Sequence, residues 1–498
     1  MSNQQEKKNM RGAIVMTKSK GINTLELFHT AVILILMFGF GQLPAIEPIT
    51  PLGMKIIGIF LAMLYGWSTV GLIWPSLLGM LAVAFSGYAP LKTIWATSFG
   101  NDNVVQFIFI FIFAGAVEAH GITRFIAFWL LSRKGIEGKP WLFSFVYLFA
   151  ISLLGALTSS SPAIILGWSI LYSIFDTLGY KRGDRYVSFM IFGTILAAQL
   201  GMGVMPFKSA PLMILASFEA IAGARIDYLP YMAFMTVAVT AAIALYILAG
   251  KFVLRLDTNA LRNLKQEDVV RDRAVLQLNF KQKVVFGFLV GLVVLMILPS
   301  ILPTAWSLTT LLNTLGATGI SVALVALMCI ISVDDEKLLN FQLMARQHIN
   351  WGVLLLLAAV MVISGALNHD SVGFVSFLKI LLEPVFGQAS AVFFVVMMVL
   401  CAVIFTNFCN NAATAIALLP VVLAFAATVG IDSSLVAVVI IFAVMLAFLT
   451  PAASPSAALL HSNDWITKKD IYVMSSMAIV TSVVVLLTTA FTVGKVLF

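Results

Sequence analysis

The sequence predicts an all-α integral membrane protein with about 11 transmembrane helices and two re-entrant hairpins, set in inverted-topology repeats. Three observations carry that prediction. Of 498 residues, 61% are hydrophobic and 10% charged, with a mean hydropathy of +1.03; a soluble domain carries roughly 25% charged residues. Many segments reach the ~20 apolar residues needed to cross hydrocarbon, and they recur along the whole chain, so a cleaved signal peptide does not explain them. Finally, one pattern occurs twice. A run of small polar residues interrupts an apolar stretch, and a proline-framed break follows. The first copy is Thr158-Ser159-Ser160-Ser161-Pro162 with Pro206-Phe207-Lys208-Ser209-Ala210-Pro211. The second is Asn407-Phe408-Cys409-Asn410-Asn411-Ala412-Ala413-Thr414 with Thr450-Pro451-Ala452-Ala453-Ser454-Pro455. Interrupted helices leave backbone groups that lipid cannot satisfy, so such backbone lines a cavity or is buried in protein. Matched interruptions in two halves of a membrane chain point to a transporter's binding site.

In order, apolar length predicts spans at 27–46, 53–72, 74–88 and 104–121, then a basic surface helix at 122–134. The polar run makes 144–180 a re-entrant hairpin, and the proline frame makes 186–222 a broken span; 229–254 is a further span. The second half repeats the order, with spans at 284–302, 309–332 and 351–368, a hairpin at 389–430, a broken span at 433–460 and a last span at 471–496. The expected organisation is a cytoplasmic N-terminal tail (1–26), scaffold helices (27–100) and a first repeat with its hairpin (101–254). A cytoplasmic linker (255–283), more scaffold helices (284–350) and a second repeat with its hairpin (351–498) follow.

Loop charge orients these spans. Lys7, Lys8, Arg11, Lys18 and Lys20 mark the tail; Arg124, Arg133, Lys134 and Lys139 follow the fourth span; Lys181, Arg182 and Arg185 precede the first broken span. The linker carries Arg255, Arg262, Lys265, Arg271, Arg273, Lys281 and Lys283, and Lys468 and Lys469 precede the last span. If both hairpins re-enter without crossing, all of these share one face, the cytoplasm. The opposite loops, Pro90 to Asn103 and Ser300 to Ser307, are nearly free of positive charge. The unit opening near Val104 then starts outside and the unit opening near Trp351 starts inside, which makes them inverted repeats. The expected location is a plasma membrane of bacterial cytoplasmic type, with the N-terminus inside.

The same residues exclude other classes. Cys329, Cys401 and Cys409 lie in apolar segments and give no disulfide framework or metal spacing. His29, His120, His348, His369 and His461 are scattered. The net charge of +8 belongs to cytoplasmic loops, so no nucleic-acid partner is expected, and no nucleotide-binding motif supports primary pumping. A cation/proton antiporter would need an intramembrane carboxylate pair, and no acidic residue stands at either tip or break. An intramembrane enzyme built on Ser160 and Lys208 leaves the repeat unexplained.

An anion at hydrocarbon depth needs donors and positive potential. Thr158, Ser159, Ser160, Asn410, Asn411 and Thr414 offer hydroxyls and amides, and helix N-termini add partial positive charge; Pro455 completes the expected substrate set. Carbonyls freed at Met205, Ala452 and Ala453, with Ser161, Asn407 and Thr450 nearby, are candidate ligands for a small cation. The plain alternative is that Ser and Thr bond their own helix and Asn caps one. An uncompensated Lys208 at bilayer depth would cost about 2.5–3.5 kcal/mol or more. It reads as a partner for the anion, as a fixed replacement for a coupling cation, or as a lysine snorkelling to the interface. Glu118 and His120 read as interfacial.

These motifs resemble those of the divalent anion:sodium symporter family. That family carries Ser-Asn-Thr at each hairpin tip, followed by a small apolar run ending in Leu-Pro. Asn410-Asn411-Ala412-Ala413-Thr414-Ala415-Ile416-Ala417-Leu418-Leu419-Pro420 fits the second copy, and Thr158, Ser159 and Ser160 stand in the first. Trp351-Gly352-Val353-Leu354-Leu355-Leu356 and Phe99-Gly100-Asn101-Asp102 are also similar, and the resemblance covers roughly 100–498. It implies sodium-coupled symport of small anions, di- or other carboxylates, by an elevator-like mechanism in a lipid-embedded homodimer, with sodium at the hairpin tips and no organic cofactor. The alternatives are a proton-coupled transporter or exchanger of another anion, and a cation/proton antiporter of the same superfamily.

Overall fold

Two runs of ten helices with the same order build the molecule. The structure, a computed structural model, describes residues 24–132, 134–264, 276–451 and 453–498. The expected tail lies almost wholly outside these residues, as do Arg133, Ala452 and positions 265–275 of the expected linker.

A leading helix α1 (Thr24–Leu34) runs on through a wider π turn (Ile35–Gly39) and a tighter 3-10 turn (Phe40–Gln42). The first run is α2 (Pro51–Thr69), α3 (Ile73–Phe85), α4 (Leu91–Ser98), α5 (Asp102–Ala119), α6 (Ile122–Leu131), α7 (Pro140–Leu157), α8 (Ser160–Leu178), α9 (Arg185–Met202), α10 (Ser209–Ala222) and α11 (Tyr228–Phe252). The second is α12 (Phe280–Ile297), α13 (Ser307–Ile330), α14 (Phe341–His348), α15 (Trp351–Asn368), α16 (Phe374–Phe386), α17 (Ala391–Thr406), α18 (Asn411–Phe425), α19 (Ser433–Val444), α20 (Pro455–His461) and α21 (Lys468–Thr489). A two-stranded ribbon, β1 (Ser332–Val333) with β2 (Glu336–Lys337), sits before α14, and α22 (Lys495–Leu497) ends the chain. Local chemistry sets the starts. Pro51 opens α2 behind a Thr50 side chain that accepts from the Gly53 amide, and Asn279 with Gln282 forms a capping box for α12.

Among the described residues, 11 helices are long and apolar enough to cross a membrane. Both arms of the first hairpin, α7 and α8, pass that test, so length alone does not separate them from spans. The two pairs pack alike: α7 and α8 both lie against α9, as α17 and α18 both lie against α19. Three short helices fall where the sequence suggested loop: α4, α14 and α16. Each is too short to span and apolar on one side. The segment expected to span at 74–88 is α3, with 13 helical residues.

The broken helix α9 is the centre of the fold, with nearly every residue buried. Two glycines let α7 approach it closely. A Cβ on Gly155 would collide with the Ala198 carbonyl, and one on Gly201 with the Ser152 carbonyl. The halves are interleaved: α5 packs on α13 and α14 of the second run, and α15 packs on α3 and α4 of the first. α11 packs along α21, closing the interior.

Candidate functional site

The two polar runs form hairpin tips, each beside the break of its own repeat. At the first tip α7 ends at Leu157 and α8 begins at Ser160, with Thr158 and Ser159 between. The Thr158 hydroxyl donates to the Leu154 carbonyl at 2.8 Å and to the Ser159 carbonyl at 3.2 Å. At the first break, α9 ends at Met202 and α10 begins at Ser209. Lys208 ties the two together: its Nζ donates to the Leu157 carbonyl at 2.8 Å, and the residue is 8% exposed. Lys208 therefore does not snorkel; it is drawn inward to the carbonyl end of α7.

Helix starts distinguish this tip. An α-helix leaves its first amides without internal partners, and a side-chain cap usually takes one. Neither α8 nor α10 has a side-chain cap: Ser159 and Lys208 hold the cap positions in extended backbone and accept nothing there. Both helices also carry proline as third residue, Pro162 and Pro211, which removes one amide and leaves those of the first two, Ser160-Ser161 and Ser209-Ala210. Thr158, Ser159, Lys208 and Ser209 line one cavity of about 130 Å³, closed on its other side by Glu118 of α5 and His348 of α14.

The second tip is bound up with itself. Asn410 caps α18, its Oδ1 accepting from the Ala412 and Ala413 amides at 3.0 and 3.3 Å. Asn411 Oδ1 accepts from the Thr406 hydroxyl at 3.0 Å. These bonds use both carbonyl oxygens and leave the Nδ2 donors. Asn407 is 1% exposed and bridges tip to break. Its Oδ1 accepts from the Phe448 and Leu449 amides (3.1 and 2.8 Å), and its Nδ2 donates to the Leu446 and Val403 carbonyls (3.0 and 2.8 Å). Thr450 Oγ1 donates to the Asn407 carbonyl at 2.6 Å, and the Ala453 amide donates to the Thr450 carbonyl at 3.1 Å. Ser454 caps α20, which opens on Pro455. Thr414 faces an apolar cavity of about 370 Å³ shared with Tyr65 and Cys409, and its buried hydroxyl has no partner among the described residues.

The repeats meet at these points. Ser456 Oγ donates to Ser160 Oγ at 2.9 Å, and Gln199 of α9 reaches Ser454 Oγ at 2.9 Å and the Ala447 carbonyl at 3.3 Å. Of the candidate cation ligands, the carbonyls of Met205 and Thr450 already accept backbone amides, Asn407 and the Thr450 hydroxyl form the bridge above, Ser161 lies in the first turn of α8, and Ala452 is outside the described residues. No group of three His, Cys, Asp or Glu side chains among the described residues is placed to hold a metal.

Glu118, read from sequence as interfacial, also lines the first-tip cavity, and His348 Nδ1 stands 4.0 Å from its carboxylate. The companion reading of His120 changes less: its Nε2 bonds the Leu338 carbonyl at 2.8 Å. Gln199 and Ser456 were also missed. Gln199 had a signal, a lone amide in an otherwise apolar stretch; Ser456 had none, because its partner stands in the other repeat.

A family model described as the sodium:sulfate symporter transmembrane region matches residues 23–498. A crystal structure of the Alcanivorax borkumensis YdaH transporter, described as having an unusual topology, superposes with a TM-score of 0.53 at 15% identity, over 95% of this chain and 97% of that one. At that identity the likeness speaks for the fold alone. No curated protein matches the sequence.

Proposed function

This chain belongs to the sodium:sulfate symporter family, and on that premise we propose that it carries a small anion, a carboxylate or a sulfate-like oxyanion, bound at the first hairpin tip. The observation that carries the reading is the pair of uncapped helix starts. Ser159, the residue before α8, and Lys208 with Ser209, at the start of α10, line one cavity, and Lys208 adds a positive charge there. Free amides and aligned dipoles at helix starts favour anions. The second tip supplies neutral donors, the Nδ2 groups of Asn410 and Asn411. With Lys208 holding the Leu157 carbonyl, a tethered charge occupies the place beside the first tip where a coupling cation would otherwise balance the substrate; sodium is the mobile coupling ion. The interleaved packing suits an elevator-like motion in which hairpins and broken helices (α7–α11 and α17–α21) move against the remaining helices, in a homodimer within a bacterial cytoplasmic membrane, N-terminus inside.

Uptake of labelled succinate and sulfate into proteoliposomes, with and without an inward sodium gradient, tests this. The expected result is sodium-stimulated uptake of at least one anion by the parent and its loss in Lys208→Gln. Equal uptake by the two proteins would remove the first tip from the substrate site.

A further inference from the structure

We propose that a basic cavity between the α8–α9 turn and the end of α11 holds the phosphate headgroup of an anionic phospholipid, gripped by Arg185 and Arg255. The cavity, of about 410 Å³, shares no residue with either hairpin tip: Tyr180, Asp184, Arg185 and Tyr186 form one wall, and the stretch from Leu254 to Asp257 forms the other. Neither guanidinium has a hydrogen bond, ion pair or ring partner among the described residues. Asp184 and Asp257 stand in the same walls but are engaged by their own turns. Asp184 accepts from the Lys181 amide at 2.8 Å, and Asp257 from the Asn259 amide at 2.9 Å. Arginine presents a planar fork of donors that matches phosphate oxygens, and here two unengaged forks share one cavity.

The backbone holds Arg255 at the cavity under strain. Its φ of +49° lies in the left-handed region, where residues other than glycine are uncommon. The turn off α11 sets this conformation. The Leu254 amide bonds the Ala249 carbonyl at 3.0 Å, the Leu256 amide bonds the Gly250 carbonyl at 3.3 Å, and Leu256 is tucked in at 7% exposed. Glycine would make the same turn without strain, and strained residues gather at ligand clamps. On the other wall Tyr180 stacks on Tyr186, with ring centroids 5.7 Å apart, and its buried hydroxyl has no partner among the described residues.

The surface beside the arginines selects a lipid over a free anion. α11 is long and apolar enough to span a membrane, and its end exposes Leu248, Phe252 and Val253 at 46%, 63% and 74%. Apolar side chains bare at the end of a span face acyl chains, and Arg255 follows directly after them. Lys251, whose ammonium lies 5.1 Å from the Phe252 ring centroid, stands at the same end. Basic pockets at helix ends, on the face where loop charges gather, are where anionic headgroups bind. One lipid seated here bridges the start of α9 and the end of α11.

The test uses the full chain purified in a non-ionic detergent. It is titrated with phosphatidylglycerol, phosphatidylcholine or potassium phosphate, and read by melting temperature and by native mass spectrometry. Phosphatidylglycerol should raise the melting temperature of the parent and of Lys208→Gln alike, with a bound copy retained in the mass spectrum. Arg185→Gln and Arg255→Gln should each weaken that binding about fivefold, and Lys283→Gln, at the start of α12, should not. Arg255→Gly removes charge and strain together. Without lipid it should melt at or above the parent's temperature, while its lipid response falls as in Arg255→Gln; it carries the test if Arg255→Gln misfolds. Phosphatidylcholine as effective as phosphatidylglycerol, or an equal loss in Lys283→Gln, makes the attraction a general surface property and overturns the proposal. So does a parent-like response in both arginine variants. Potassium phosphate that stabilises the parent through these two arginines as well as the lipid does makes the site one for a free anion, and overturns the lipid assignment.

Discussion

The two hairpin tips face the same physical problem and solve it with different chemistry. Each lies beside a helix break, where carbonyls and amides lose their helical partners and lipid offers none. At the second tip a neutral amide does the repair: Asn407 makes four bonds into tip and break, and Asn410 and Ser454 cap the helices that restart there. At the first tip an ammonium holds one carbonyl, glycines bring α7 against α9, and both restarting helices stay uncapped. A satisfied amide network fixes a shape. Uncapped helix starts around a lysine fix a shape and leave a field for something else to fill. On the function proposed above, the similar layout of the tips hides a division of labour, in which structure is concentrated at the second tip and charge recognition at the first.

The largest expected effect comes from breaking the second tip. Asn407→Ala strands two buried amides and two carbonyls, and each unsatisfied group costs about 1–3 kcal/mol. The variant should melt well below the parent and express poorly, with transport lost only as folded protein is lost. A parent-like melting temperature would show that the bridge is dispensable. Next is Lys208→Gln. Losing a charge-assisted bond to the anion costs about 1.5–3 kcal/mol, on the order of 10- to 100-fold in affinity, while the melting temperature falls less than in Asn407→Ala, because one carbonyl loses its partner and not four groups. Added sodium should not restore the affinity. If Lys208→Gln unfolds and Asn407→Ala does not, the division of labour is reversed.

Asn410 sharpens the comparison because two substitutions separate its two jobs. Asn410→Ala removes the cap, at about 0.5–2 kcal/mol, together with the Nδ2 donors. Asn410→Asp keeps the capping oxygen but puts negative charge where those donors were. Its melting temperature should stay close to the parent's while uptake falls at least as far as in Asn410→Ala; unchanged uptake in Asn410→Asp would confine this residue to capping. The smallest effect belongs to Ser456→Ala, which removes the Ser456–Ser160 bond between repeats. The expected cost is about 0.5–1.5 kcal/mol, with little change in uptake; a large loss of uptake would mean that this bond sets the geometry of the site.

Both breaks were legible because proline and short polar side chains write an interruption directly into the chain. Pro162 and Pro211 are visible in the sequence; that each is the third residue of an uncapped helix is not, since capping depends on where a neighbouring side chain turns. Asn407 was legible as a polar residue in the right run. Its bridging role was not, because its partners Leu446, Phe448 and Leu449 stand some forty positions later, in the apolar arm just before the second break, with no polar side chain to mark them. Glu118 and His348 lie on helices from different halves, and no local pattern joins them. The helices α4, α14 and α16 escaped because reading by span length passes over short one-sided helices.

The most direct test of the central claim is the melting temperature of purified parent and Lys208→Gln protein as sulfate or succinate is added. A ligand that binds only the folded state raises the melting temperature by mass action. The account predicts a concentration-dependent rise for the parent with at least one anion, and none for Lys208→Gln above its own starting temperature. An equal rise in both proteins would contradict it.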